Sequence, residues 1–255
     1  MRNTLAIAHK EVRAYFASPI AYIVIGFFAL LFGWFYIGIL DWFVRQGMQM
    51  GQFGMQGPQN MNVNQQMIRP LLLNMTVVFL FLLPLVTMRT YAEEKRSGTI
   101  ELLLTSPLTD LQIVLGKFLG AMVLYSAMLA VTMIHFGLLF KFGNPDWKPL
   151  AVAYLGLFLF GGCFVSVGLF ISSLTKNQIV AGAATFGVFL LLWVIDWIGQ
   201  GTQAEAVLKY LSMTEHLDDF VKGVVDTKHL VYYLSFITFG LFLKVKSVDS
   251  ERWRG

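Results

Sequence analysis

Residues able to do chemistry are sparse in this chain, and the densest group is Glu93-Glu94-Lys95-Arg96, within EEKRSGTIELLLTSPLTDLQIVLGKFLG at 93–120. Alternating carboxylates and cations suit ion pairing with a partner surface; they do not make an acid–base pair or a metal-ligand set. Gly98, Thr99, Glu101 and Pro107 complete the polar, turn-forming part of the stretch. Gly116-Lys117 is followed by Phe118 and lacks the upstream glycine of a G-x-x-x-x-G-K-[ST] phosphate loop. No acidic, His or Ser constellation supports catalysis, so the expected polypeptide is a non-enzyme with no catalytic residue, metal or cofactor of its own. Cys163, the one cysteine, lies in an apolar run; it has no disulfide partner in the chain and reads as packing. His135 admits two readings, a proton relay or a hydrogen-bonded packing histidine. Met48, Met50, Met55, Met61 and Met67, in or beside Gln46–Gln66, likewise offer either soft ligands for Cu(I) or a flexible low-complexity loop.

The elements that must position these residues are membrane spans. Of 255 residues, 56% are hydrophobic and 13% charged, about half the charge of a soluble domain. The net charge of +4 has a simpler cause than nucleic acid, because basic residues collect beside spans on the cytoplasmic side. Crossing the hydrocarbon core takes about 20 apolar residues, and the candidates are 20–40, 70–88, 115–140, 150–172, 178–195 and 230–243. The sixth is short, so it must thin the bilayer or let Lys244 and Lys246 snorkel. An N-terminus on the inner side puts twelve of the 19 basic residues inside, with both termini cytoplasmic. The first apolar run is too long for a cleavable leader and reads as a retained span.

Three segments do not span. Residues 3–17 place Leu5, Ala8, Val12, Tyr15 and Phe16 at helical spacing, with Lys10 and Arg13 on another face, as in an amphipathic helix at the interface; Ser18-Pro19 breaks the chain after it. At 203–225, Val207, Tyr210, Leu211, Thr214, Leu217, Val221 and Val224 form one stripe, predicting one helix or two short ones that gate an exit or cap the bundle. In the inner segment 89–114, Gly98 offers a break, Thr99–Thr105 a short apolar helix, Ser106-Pro107 a stop, and Thr109-Asp110-Leu111-Gln112 a capping box that opens the third span. Such a helix either enters a groove on a soluble partner or lies on the membrane with the EEKR run as a solvated loop. Pro84, near the inner end of the second span, is a candidate hinge.

The pattern EEKRSGTIELLLTSPL followed by LGKFLG resembles the coupling region of ABC-2 type exporter permeases. The opening KEVRAYFASPIAYIV and the stretch YLSMTEHLDDFVKGVVDTKHLVYYLSF resemble the gliding-motility-associated branch of that family. The resemblance implies a single all-α transmembrane domain over 1–255, type V exporter-like. It has six spans, an interfacial N-terminal helix, a coupling helix between spans 2 and 3, and short extracytoplasmic helices before span 6. It implies a bacterial inner-membrane permease whose energy comes from a separate ABC ATPase carrying ATP and Mg. It also implies pairing with a second permease copy or a homologous permease, and a companion membrane protein with a large extracytoplasmic domain. Glu93, Glu94, Lys95, Arg96, Gly98, Thr99, Glu101 and Pro107 would then be the ATPase-coupling residues, with Glu101 alternatively facing Lys117 or Arg13 inside the permease. The absence of any charge near a span centre argues against an ion-coupled carrier. A subunit that transmits ATPase motion to an outer partner without moving a substrate is the remaining alternative.

Overall fold

A computed structural model describes residues 2–52, 62–199, 201 and 203–252. Those residues form eleven α-helices and one π-helical turn: α1 (Arg2–Ala17), α2 (Pro19–Gln52), the π turn (Asn64–Ile68), α3 (Arg69–Thr87), α4 (Arg89–Ser97), α5 (Thr99–Leu104), α6 (Asp110–Phe142), α7 (Trp147–Leu174), α8 (Gln178–Gly199), α9 (Glu205–Leu211), α10 (Met213–Val221) and α11 (Thr227–Arg252). Six stretches are long and apolar enough to cross a bilayer: Pro19–Gln49, Asn64–Ser97, Asp110–Phe142, Trp147–Leu174, Gln178–Ile195 and Thr227–Ser250.

Helix α7 is the axis. It packs against α3, α4, α6, α8, α10 and α11, and its glycines are where the neighbours come closest. A Cβ at Gly156 would lie 2.5 Å from Phe220, at Gly161 2.1 Å from the Tyr125 ring, at Gly162 2.8 Å from Ile237 and at Gly168 2.4 Å from Thr87. In lipid no hydrophobic gain draws one helix to another, so close backbone approach over small residues has to supply the packing energy. Tyr125 uses the room at Gly161: its hydroxyl donates to the Leu157 carbonyl at 2.6 Å and its ring stands edge-on to Phe79. The helices α2 and α8 are the least buried of the six spans.

Several spans outrun their predicted limits for local reasons. Helix α2 continues past Leu40 to Gln52, its added turns carrying the Asp41–Arg45 pair one helical turn apart at 2.8 Å. Of the segment's methionines, Met55 and Met61 lie outside the described residues, Met48 is exposed and Met67 is buried in the core; Met67 is therefore no loop ligand. The second span does not end at Met88, because α4 follows after a single turn residue, so the EEKR run is helical and not a loop. Arg89 pairs with Glu93 at 3.0 Å along α4, Ser97 Oγ donates to the Glu93 carbonyl, and Gly98 closes the helix at φ 74° in the left-handed region. The capping box forms as read: Thr109 Oγ1 accepts from Gln112 N, and Gln112 Oε1 accepts from Thr109 N, both at 3.3 Å.

The sixth span is not short. Helix α11 has 26 residues, and Lys244 does not snorkel but is buried with Nζ 3.6 Å from the centre of the Tyr91 ring. The 203–225 stripe is broken at Ser212, whose extended backbone separates α9 from α10. On α9 no side chain is buried, whereas α10 buries Met213, His216, Leu217, Phe220 and Val221. His135 stands edge-on to Phe32 at 5.0 Å and beside Tyr36, its buried Nδ1 without a hydrogen-bond partner among the described residues, so there it is packed against rings.

Gly161→Ala should lower stability by about 1–3 kcal/mol, because the added methyl overlaps a ring held on both sides. Thermal unfolding in detergent checks this against Gly187→Ala, where nothing lies within 4 Å and no loss is expected.

Candidate functional site

Helix α1 lies in a groove of α6 cut by two glycines one turn apart. A Cβ at Gly116 would meet Ile7 at 2.6 Å, and one at Gly120 would meet Glu11 Cβ at 2.6 Å. The contact face of α1 is thus Ile7, Ala8 and Glu11, with Leu5 exposed. This differs from the predicted stripe, which left Glu11 out. Seated over Gly120, Glu11 sends its carboxylate to Lys117, the residue between the glycines.

Lys117 is 1% exposed and fully coordinated. Its Nζ lies 2.8 Å from Glu11 Oε1, 2.8 Å from Glu94 Oε1 and 3.2 Å from the Thr90 carbonyl. One ammonium therefore joins α1, α4 and α6. The Tyr91 ring lies between two lysines, 4.9 Å from Lys117 Nζ and 3.6 Å from Lys244 Nζ, which brings α11 into the same cluster. Glu11 and Glu94 thus face Lys117 and Lys244, and the exposed Lys10 reaches Glu94 Oε1 at 3.9 Å. Glu94 Oε2, also buried, has no hydrogen-bond partner among the described residues.

Two further contacts fix α4. Ser172 of α7 enters the α3–α4 junction: its Oγ donates to the Met88 carbonyl at 2.9 Å and accepts from Tyr91 N and Ala92 N at 3.2 and 3.1 Å. An uninterrupted helix would bond Met88 O to Ala92 N directly, so the hydroxyl sits within the backbone ladder. Lys95 Nζ donates to the Ser173 carbonyl. On the other side of α4, the Tyr15 hydroxyl of α1 shares a hydrogen bond with Thr90 Oγ1 at 3.1 Å and donates to the Val86 carbonyl. Burial, offset only in part by the Thr90 bond, raises the Tyr15 pKa well above its ordinary value and keeps the phenol neutral. A cavity of about 310 Å³ opens between α1 and the α3–α4 junction, with Lys10, Arg89 and Glu93 at its polar end and Ile20, Val24 and Leu85 at its apolar end.

The eight residues singled out from the sequence therefore divide. Glu94 and Lys95 face inward and hold α4 to its neighbours. Glu93, Arg96, Gly98, Thr99, Glu101 and Pro107 are exposed along α4, α5 and the turn after it, with Leu102 exposed beside them. Lys117 is held by Glu11 and Glu94 and not by Glu101. Glu11 is the member of this cluster that the sequence pattern did not single out; the available signal was a carboxylate between Ala8 and Tyr15 on the otherwise apolar face of α1.

A model of the ABC-2 family transporter proteins matches residues 46–199. The chain belongs to that family. A permease of Escherichia coli K12 described as "Probable multidrug ABC transporter permease YbhR" is 28% identical over 165 residues, and the same protein of E. coli O157:H7 matches equally. The alignment covers 65% of this chain and 41% of the relative, so the chain spans about two fifths of the length of the curated relatives it matches. The protein is accordingly a multi-pass membrane subunit of the ABC transporter class, and the glycine–lysine–glycine groove lies within the family-matched part of the chain.

Lys117→Met should cost about 3–5 kcal/mol, since it leaves the buried Glu11 carboxylate facing the largely buried Glu94 with only the exposed Lys10, 3.9 Å from Glu94, nearby. The triple variant Lys117→Met, Glu11→Gln, Glu94→Gln should recover most of that loss. Apparent melting temperature in detergent, followed by tryptophan fluorescence, reports both.

Proposed function

We propose that this chain is the permease subunit of an ATP-driven ABC exporter, worked by a separate nucleotide-binding subunit that docks on α4 and α5. The observation that carries the reading is the division of the insert into two faces. One face, through Glu94 and Lys95, is tied to α1, α6 and α7; the other presents Glu93, Arg96, Glu101 and Leu102 to solvent. A push on the exposed face reaches α1 and α6 through Lys117 and α7 through Ser172, without passing through a flexible loop. ATP and Mg belong to the partner. The lysine and arginine distribution supports an inner-membrane location with α4, α5 and both termini in the cytoplasm. Gly26 and Gly38 of α2, where a Cβ would meet nothing within 4 Å, support pairing with a second permease copy, because small residues let helices approach closely in lipid. The name of the E. coli relative, a probable multidrug permease, supports a drug-like small-molecule cargo.

Reversing the exposed charges together, Glu93→Lys, Arg96→Glu and Glu101→Lys with Glu94 kept, should cut ATPase co-purification about tenfold or more while the permease still inserts normally. Unchanged co-purification would refute docking on this face. For topology, a cysteine placed at Arg96 in a Cys163→Ala background should react with an impermeant maleimide only after permeabilisation, and one at Lys222 should react in intact cells. The opposite pattern would invert the orientation.

A further inference from the structure

At the end of the bundle remote from α4, the polar cluster joining α9, α10 and α11 has a proton count that two neutral histidines cannot meet. His216 Nδ1 and His229 Nδ1 are 2.6 Å apart. The outer nitrogens are committed: His216 Nε2 lies 2.8 Å from the Tyr210 carbonyl, and His229 Nε2 lies 2.9 Å from Asp219 Oδ2. A carbonyl only accepts, so His216 Nε2 carries a hydrogen. Asp219 also only accepts: burial pushes its pKa up, but the bonds from Lys222 and His229 outweigh this and hold it below the usual carboxylate value. His229 Nε2 therefore carries a hydrogen as well. If both rings were neutral, those two hydrogens would exhaust the supply, and two lone pairs would face each other at 2.6 Å.

We propose that His216 and His229 bind one shared proton between their Nδ1 atoms, forming a cationic pair whose counter-ion is Asp219 and which clasps α9 and α10 to the first turn of α11. The pair then carries three ring hydrogens: one donated to Tyr210 O, one to Asp219 and one from ring to ring. The carboxylate of Asp219 contacts His229 and not His216, so the shared proton rests on the His229 side. The ring planes are fixed independently. His216 stacks on Tyr232 at 3.8 Å and 13°, while Tyr232 and Tyr233 hydroxyls donate to the Leu211 and Met213 carbonyls.

The surrounding charges are largely paired among themselves, which leaves Asp219 as the anion facing the pair. On α10, Glu215 pairs with Lys209 of α9 at 3.0 Å, and Asp218 pairs with Arg69 of α3 at 2.7 Å. Lys222 bridges Asp218 and Asp219 at 2.6 and 3.1 Å. In the first turn of α11, Lys228 pairs with Asp226 at 3.3 Å; Glu205 at the start of α9 accepts from Gly201 N. On α7, which packs under α10, the first turn carries the exposed Lys148. The sign follows: the ring-to-ring link is present while the proton is bound and is lost as pH rises through the titration of the pair.

Solid-state NMR of the full chain in lipid bilayers, with ring-labelled 15N histidine, tests the count. Signals of His9 and His135 are removed by difference with the His9→Gln and His135→Gln proteins. At about pH 7.5, where a free imidazole is mostly neutral, the pair should show three protonated nitrogens and one bare. Two protonated and two bare would overturn the proposal. Asp219→Asn, which keeps both rings, should lower the pH at which the third proton is lost by about one unit or more; an unchanged midpoint would remove Asp219 as counter-ion. Hydrogen exchange over 205–232, corrected for intrinsic rate, should speed up about tenfold between about pH 6 and pH 9 as the link is lost. In His216→Phe, which keeps a ring on Tyr232, that pH dependence should vanish, and its persistence would overturn the clasp. The count does not depend on whether the chain exports anything.

Discussion

A lysine ammonium shut away from water dictates much of the end of this molecule that carries α1 and α4. Lys117 cannot be left bare, since an isolated charge in a medium of low dielectric costs several kcal/mol even after relaxation. It must therefore gather anions, and the two it gathers come from different helices, Glu11 of α1 and Glu94 of α4. That requirement explains features that otherwise look unrelated. Gly116 and Gly120 must be small so that α1 can come close enough to deliver Glu11. The α3–α4 junction must be irregular, and stabilised there by Ser172, so that Glu94 and Thr90 face α6. The polar groups in the cluster stabilise one arrangement of four helices, because each alternative leaves a buried charge alone.

The middle of the bundle follows a different rule. Here the neighbours of α7 are apolar, and the lipid is as apolar as they are, so affinity between helices comes from contact distance. Glycines along α7 admit Phe220, Tyr125, Ile237 and Thr87 at separations that an alanine would forbid. The one cysteine, Cys163, lies fully buried on this helix with Sγ 3.6 Å from the Tyr233 carbonyl, a packing position as its sequence context suggested.

The two ends of α7 therefore meet two polar clusters of opposite construction. At one end Ser172 and Ser173 hold α4, whose far side is open to solvent. At the other, α10 lies across Gly156 and is tied through Asp218 to Arg69 of α3 and through the histidine pair to α11. A rigid, glycine-packed helix between these clusters gives a displacement at the first a direct mechanical path to the second.

Periodicity and local chemistry in the sequence already determined the all-helical membrane class, the six spans, the break at Ser18-Pro19, the break at Gly98 and the capping box at Thr109–Gln112. Each of these depends on residues within a turn or two of one another, so the sequence order contains the whole interaction. Span ends were less legible, because hydropathy registers Lys244 as a boundary while the Tyr91 ring that shelters it lies on another helix. The same holds for the partners of Lys117, for His216 against His229, and for which half of the EEKR run faces inward. These were decided by tertiary structure alone: a buried charge takes its meaning from whatever opposes it in space, and the opposing groups stand 13 to 106 residues away along the chain.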